Sequence, residues 1–212
     1  LLKTDNPLLK REVSDLVQEG PEMITVLDHK PSDIATWLTM VEWSDFKLVT
    51  MQEIMNKNWQ SKNKETLAPN LSKMANRFND VSNWCVRQIL NAKNAQAACT
   101  NIERLIQVLS HLISLNNFQS AAQICAALNH SCVSRLKKSV WSKVSTSLIK
   151  EFNEFDELLS NKTNFSAYRQ RIAKCLETQK PFVPVIAVLL RDATYVYDGN
   201  PERLEDGKWN LT

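Results

Sequence analysis

Residues 101–115 read NIERLIQVLSHLISL. Ile102, Leu105, Ile106, Leu109, Leu112 and Ile113 recur every three or four positions, with Glu103, Arg104, Gln107 and Ser110 on the other side. That period belongs to an α-helix with one apolar stripe, and so broad a stripe must be buried against other helices. It is core and not a ligand site. His111 falls off the stripe and reads as a helix-surface side chain.

The same period extends outward in both directions. Upstream, Leu71, Met74, Phe78, Val81, Cys85 and Ile89 mark a longer helix whose far side carries Ser72, Lys73, Asn76 and Arg77. Residues 58–69, rich in Lys, Asn and Ser, read as a loop before it. Further back, Ser32 follows Pro31 and is expected to cap a helix with Ile34, Trp37, Leu38 and Val41 as its apolar face. A neighbouring helix is expected from about Asp45.

Downstream, Asn116-Asn117-Phe118 forms a polar break, and residues 120–128 form a helix dense in small side chains, which let neighbours approach closely. Residues 129–134 read as a turn and 140–159 as one helix, with Trp141, Val144, Leu148, Phe152 and Phe155 inward. Residues 180–184 (KPFVP) cannot lie inside a helix, because each proline removes a donor and restrains its predecessor. They launch an element over 185–197, stopped at 198–201 (DGNP) with Gly199 placed for a left-handed cap. Only three glycines occur, β-type alternation is scarce, and no repeat is visible. The fold class is all-α: one irregular multi-helix bundle.

Composition narrows the function. The 212 residues are 43% hydrophobic and 23% charged, as in an ordinary folded domain. A net charge of +3, with the densest basic clusters at 135–138 and 47–64, excludes a nucleic-acid-binding surface as the main reading. Five cysteines, an odd number without C-x-x-C spacing, read as small core residues in a reducing compartment. His29, His111 and His130 complete no metal box, so neither metal nor cofactor is expected. No apolar run approaches the roughly 20 residues that span a bilayer. Leu1 opens the chain in place of an initiator Met, which predicts a fragment of a longer polypeptide. Phosphate loops, nucleophile elbows and zincin motifs are absent from the sequence. Acidic pairs such as Glu151 and Glu154 or Asp156 and Glu157 read as a solvated helix face. The residues alone lead to a helical interaction domain without covalent chemistry.

Four stretches, in order, resemble the catalytic domain of Ras-family guanine nucleotide exchange factors, the RasGEF family. Residues 31–42 (PSDIATWLTMVE) are similar to the family's P-x-E-I-A-x-Q-L-T-x-x-E, with a following Trp at the position of Trp59. Residues 68–71 (APNL) and 77–84 (RFNDVSNW) resemble S-P-N-L and R-F-N-x-V-S-x-W. A third group is 115–118 (LNNF), 127–129 (ALN) and 133–138 (VSRLKK). The fourth is 182–184 (FVP), 190–194 (LRDAT) and 198–201 (DGNP), against x-P-x-L-G-x-x-L-x-D-L-T-x-x-x-E-G-N-P. The matches span residues 31–201, which makes 31–212 the RasGEF-like domain and 1–30 an N-terminal helical or linker segment. Trp37, Leu38, Trp84, Phe118 and Tyr168 are expected to match because they fill the core.

The resemblance implies a protein that accelerates GDP release from a Ras, Rap or Ral GTPase and catalyses no covalent step. In the family a protruding helical hairpin opens switch I and disturbs the magnesium and phosphate sites. Its first arm resembles residues 185–201, with Thr194 at the steric position, Asp198 at the acidic one and Asn200 beside it. Asp198 stands where the family usually has Glu and is one methylene shorter. The surface clamping switch II would be Ser72, Met74, Asn76, Asn129, Ser134, Asn164, Phe165 and Arg191. Arg135 is expected to pair within the fold, with Lys137 and Lys138 solvated.

Residues 168–184 look a few positions longer than usual. The chain ends at 209–212 (WNLT), where the family continues with an I-N-F-x-K-like segment into the second arm, so only the first arm is expected here. The resemblance implies a cytoplasmic protein, recruited to membranes through regions outside this chain. A non-catalytic adaptor on the same fold stays open beside the exchange factor, as does an unrelated helical domain.

Overall fold

The computed structural model describes residues 25–200. They form ten α-helices and three short 3-10 segments, and no β-strand beyond an isolated bridge between Asn117 and Val183. In order these are α1 (Pro31–Phe46), α2 (Met51–Ile54), a 3-10 turn (Met55–Gln60), α3 (Lys64–Leu67), α4 (Pro69–Leu90), α5 (Ala95–Ser114), α6 (Phe118–Asn129) and α7 (Ser131–Ser134). A 3-10 turn (Trp141–Lys143), α8 (Thr146–Leu158), a third 3-10 turn (Lys162–Phe165), α9 (Ser166–Glu177) and α10 (Ile186–Gly199) complete them. The all-α reading is thus met. The proposed 1–30 segment and the region around Trp209 lie largely or wholly outside the described residues.

Helix α5 is the axis of the core, packed by α1, α4, α6 and α8. Ile102, Leu105, Ile106, Leu109 and Leu112 are fully buried, so the stripe at 101–115 faces inward as its period required. Asn94 caps α5 by accepting the Ala97 N–H at 2.9 Å. At the other end Asn116 adopts a left-handed φ of 54°. The Asn117 N–H bonds the Leu112 carbonyl at 2.9 Å and the Asn116 N–H that of Ile113 at 3.1 Å. This is a Schellman ending, with Asn in the place more often held by Gly. Asn117 then caps α6 through the Ser120 N–H at 3.0 Å.

Several local expectations change. Helix α1 begins at Pro31 and Ser32 caps nothing; its hydroxyl donates to Asp33 at 3.2 Å. The helix continues through Asp45 to Phe46, and the next begins at Met51 behind a Thr50–Glu53 capping box. Trp37 is 49% exposed and Val41 also lies outward, whereas Ile34, Ala35, Glu42 and Asp45 are buried. Charge decides that orientation. Arg77 of α4 donates to Glu42 at 3.1 Å and also pairs with Asp45, which accepts Lys73 at 2.9 Å. Of the five residues expected to fill the core, Phe118 and Tyr168 are buried and Leu38 and Trp84 pack against its edge.

The loop expected over 58–69 contains part of a 3-10 turn and α3. The helix expected over 140–159 is broken, because Val144 is extended and Ser145 caps α8 through the Leu148 N–H at 3.4 Å. Gly199 is the last residue of α10 with no left-handed φ; the Asn200 side chain instead donates to the Val196 carbonyl at 2.7 Å, satisfying an end carbonyl. Arg135 is exposed and has no ion-pair partner among the described residues.

Candidate functional site

Helix α10 stands on a base built from three directions. The segment before it is sewn to the α5–α6 corner by the Phe118 N–H to Val183 carbonyl bond at 3.0 Å and the Val183 N–H to Asn116 carbonyl bond at 2.9 Å. Neither proline of residues 180–184 has an N–H to lose there. The Val185 and Ile186 N–H groups, which no local cap serves, are met by the Tyr168 hydroxyl at 2.9 Å and Gln119 Oε1 at 3.0 Å. Ile186 packs with Ala68, Leu71 and Met74, while Val185 and Val188 pack with Phe118 and Tyr168. A helix held at its first turn by two apolar clusters and two buried acceptors has its direction set.

One face of α10 is tied to α9. Arg169 grips Asp192 through two bonds at 2.8 and 2.7 Å and donates to the Asn164 carbonyl at 2.9 Å. The Arg169 bonds, outweighing burial, hold the Asp192 carboxyl below the usual aspartate value. Arg191 donates to Asn164 Oδ1 and lies 4.7 Å from the centre of the Phe165 ring. Thr163, Asn164 and Phe165 all take left-handed φ values of 50–57°. Such a conformation is uncommon for residues with a Cβ and shapes the tight turn that delivers Asn164 and Phe165 to Arg191. Three of the expected contact residues are therefore joined directly.

The outer half of α10 is exposed, with Tyr195 and Val196 at 64%. Thr194 and Asp198 lie one turn apart on it and meet the Met55–Gln60 turn. Lys57 pairs with Asp198 and sits 5.0 Å from the centre of the Tyr197 ring, while Gln60 Nε2 donates to Thr194 Oγ1 at 3.5 Å. Thr194 also donates to the Leu190 carbonyl at 2.9 Å.

The remaining expected contacts divide. Met74 is fully buried and Ser72 nearly so, which corrects their placement on an outer surface: both lie on an inward edge of α4, and Met74 packs with Ile186 of α10. Asn76 is exposed in a recess of about 480 Å³ with Glu65, Lys73 and Asp80. Asn129 is exposed and donates to Asp156 at 2.6 Å; Ser134 is half-buried and donates to the Ser131 carbonyl at 3.4 Å. No hydrogen bond or ion pair among the described residues joins these three to α10.

Sequence reading missed Lys57, Gln60, Gln119 and the hydroxyl of Tyr168. Nothing in the periodicity marks them, since each acts on a segment far away in the chain. Among the described residues no three His, Cys, Asp or Glu side chains are grouped to hold a metal, and no helix is long and apolar enough to cross a membrane. An apolar groove of about 600 Å³ runs beside α10, lined among others by Trp43, Phe46, Ile172 and Leu176.

Comparison with known proteins agrees with this architecture. Residues 33–212 match the RasGEF domain. The chain is 34% identical over 186 residues to Ras guanine nucleotide exchange factor P of Dictyostelium discoideum, covering 87% of this chain and 12% of that protein. It is 27% identical over 208 residues to human Ras-specific guanine nucleotide-releasing factor 1, covering 98% of this chain and 16% of that protein. With guanine nucleotide-releasing factor 2 of Drosophila melanogaster it shares 30% identity over 193 residues, 91% of this chain and 12% of that protein. The chain thus spans less than a fifth of these relatives' length. With the family profile matching from α1 to the end of the chain, and with the four sequence stretches meeting on one all-helical body, this protein belongs to the RasGEF domain family.

Proposed function

We propose that this chain accelerates GDP release from a Ras, Rap or Ral GTPase, with α10 as the arm that reaches the nucleotide site. The observation that carries the reading is the asymmetry of α10. Its base is locked into two apolar clusters, and its exposed outer half bears Thr194 and Asp198. A carboxylate delivered to an anion-binding loop competes with phosphate for the same backbone donors, and a side chain at the metal position excludes Mg²⁺. Asn200 closes the last turn and keeps Asp198 on helical geometry.

No covalent bond is made. Exchange is linkage: the nucleotide-free GTPase is held more tightly than the loaded one, by on the order of several kcal/mol, and each ligand weakens the other equally. Asn164, Phe165 and Arg191 form the surface beside the arm; Asn76, Asn129 and Ser134 extend it toward α4, α6 and α7. Met74 supports the base of α10 through Ile186. Action in the cytoplasm, with recruitment to membranes through other segments of a longer protein, fits this reading.

The test is release of fluorescent GDP from purified Ras, Rap and Ral with the full 212-residue chain. Acceleration of at least one, lowered by Asp198→Ala and by Thr194→Glu with little change in melting temperature, is expected. Release at the intrinsic rate for all three sinks the reading, and tight binding without release would identify an adaptor instead.

A further inference from the structure

The outer half of α10 has little apolar support, so something else must fix where it points. From residue 194 onward, the side chains that reach it from outside its own helix, among the described residues, come from the Met55–Gln60 turn. Lys57 makes two contacts with one ammonium: it donates to Asp198 Oδ1, and it lies over the ring of Tyr197. Its own side chain is largely covered, whereas that of Asp198 is 56% exposed. Asn56 and Lys57 both hold a left-handed φ of 54°. Residues with a Cβ keep that conformation only where their surroundings impose it. Here it turns the Lys57 side chain onto α10.

We propose that Lys57 is the positioning residue of the arm, holding its outer half against the body and fixing Asp198 by one oxygen. Asp198 Oδ2 has no hydrogen bond among the described residues and stays free for a partner's donors. The contacts of Lys57 are with Asp198 and Tyr197, so it acts through the arm. The inference rests on α10 being the exchange arm, but the clamp itself can be measured without any GTPase. Because the pair is partly open to solvent, salt weakens it.

The experiment compares wild type, Lys57→Met and Lys57→Arg in the full 212-residue chain by two readouts. One is hydrogen exchange of the amides of residues 195–199; the other is GDP release under saturating GTPase. Lys57→Met is expected to speed amide exchange there about two- to fivefold, leave α5 unchanged, and lower the maximal release rate by a similar factor. Lys57→Arg restores both. Unchanged protection in Lys57→Met overturns the clamp whether or not the protein is active. Faster GDP release by Lys57→Met also overturns it, since Lys57 would then mask Asp198. If protection falls and Lys57→Arg restores it while wild type releases no GDP, the clamp stands and the exchange reading fails.

Discussion

The Tyr168 hydroxyl accepts the backbone N–H of Val185 at 2.9 Å, linking α9 to the start of α10 across 17 residues of sequence. The same ring stands edge-on to Phe118, with centroids 5.5 Å apart and planes at 85°. Burial pushes the phenol up to about 12, so it stays neutral. One side chain thus supplies apolar packing at the base of α10 and an acceptor for the Val185 N–H, which no local group serves.

Tyr168→Phe separates those two contributions. The ring contact with Phe118 survives and the Val185 N–H loses its buried partner. The expected cost is about 1–2 kcal/mol, or a fall of roughly 2–8 °C in melting temperature by calorimetry. Tyr168→Leu, which also loses the ring, is expected to cost more.

Glu42 is fully buried between Arg77 and Gln123, which donates to it at 2.8 Å. Burial raises its pKa above the ordinary 4.5, against the opposing Gln123 and Arg77 bonds. Glu42→Ala leaves Arg77 with Asp45 alone and takes the acceptor from the buried Gln123 amide, and is expected to cost about 3 kcal/mol in urea unfolding. Glu42→Gln keeps the shape and costs less. Since the folded pKa is raised, the protonated group's contribution is full below 4.5 and is lost as pH rises through the folded value. The advantage of wild type over Glu42→Gln should therefore shrink with rising pH; an advantage that grows would contradict the assignment.

Asp192 gives the opposite sign. Arg169 holds its carboxyl below the ordinary 3.8, so the stabilisation is present above that value and lost as pH falls through the lower folded value. Asp192→Asn should flatten the acid limb of the melting-temperature profile below pH 3.8. Both groups are partly exposed, so about 0.15 M salt should reduce the difference.

Met74 and Asn76 test the placement on α4. Met74→Ala removes a fully buried side chain from the cluster that seats Ile186, and is expected to cost about 2–5 kcal/mol. Asn76→Arg lies on the exposed recess and should change stability by less than about 0.5 kcal/mol, while weakening GTPase binding in a titration. Equal stability losses would mean that α4 is rotated from the orientation described.

All five cysteines are buried, and burial pushes the Cys85 thiol up to about 12. In the folded protein none should react with a disulfide reagent over minutes at neutral pH, and all five should react in guanidinium chloride. Rapid native labelling of even one would show an opening on α4, α5, α6, α7 or α9.

By itself the sequence determined the helical class, the α5 axis and the break before α10, because apolar period and proline chemistry act within a few residues. It also carried the family resemblance. Tertiary structure decided which way the other helices turned. Glu42 and Asp45 face inward and Trp37 outward because Arg77 and Lys73 wait on α4, more than 25 positions away. Distance in sequence likewise hid the Tyr168 and Gln119 caps and the grip of Lys57 on Asp198, 141 residues on. A periodicity records which face is apolar; it holds no information about which side chain arrives from a distant segment.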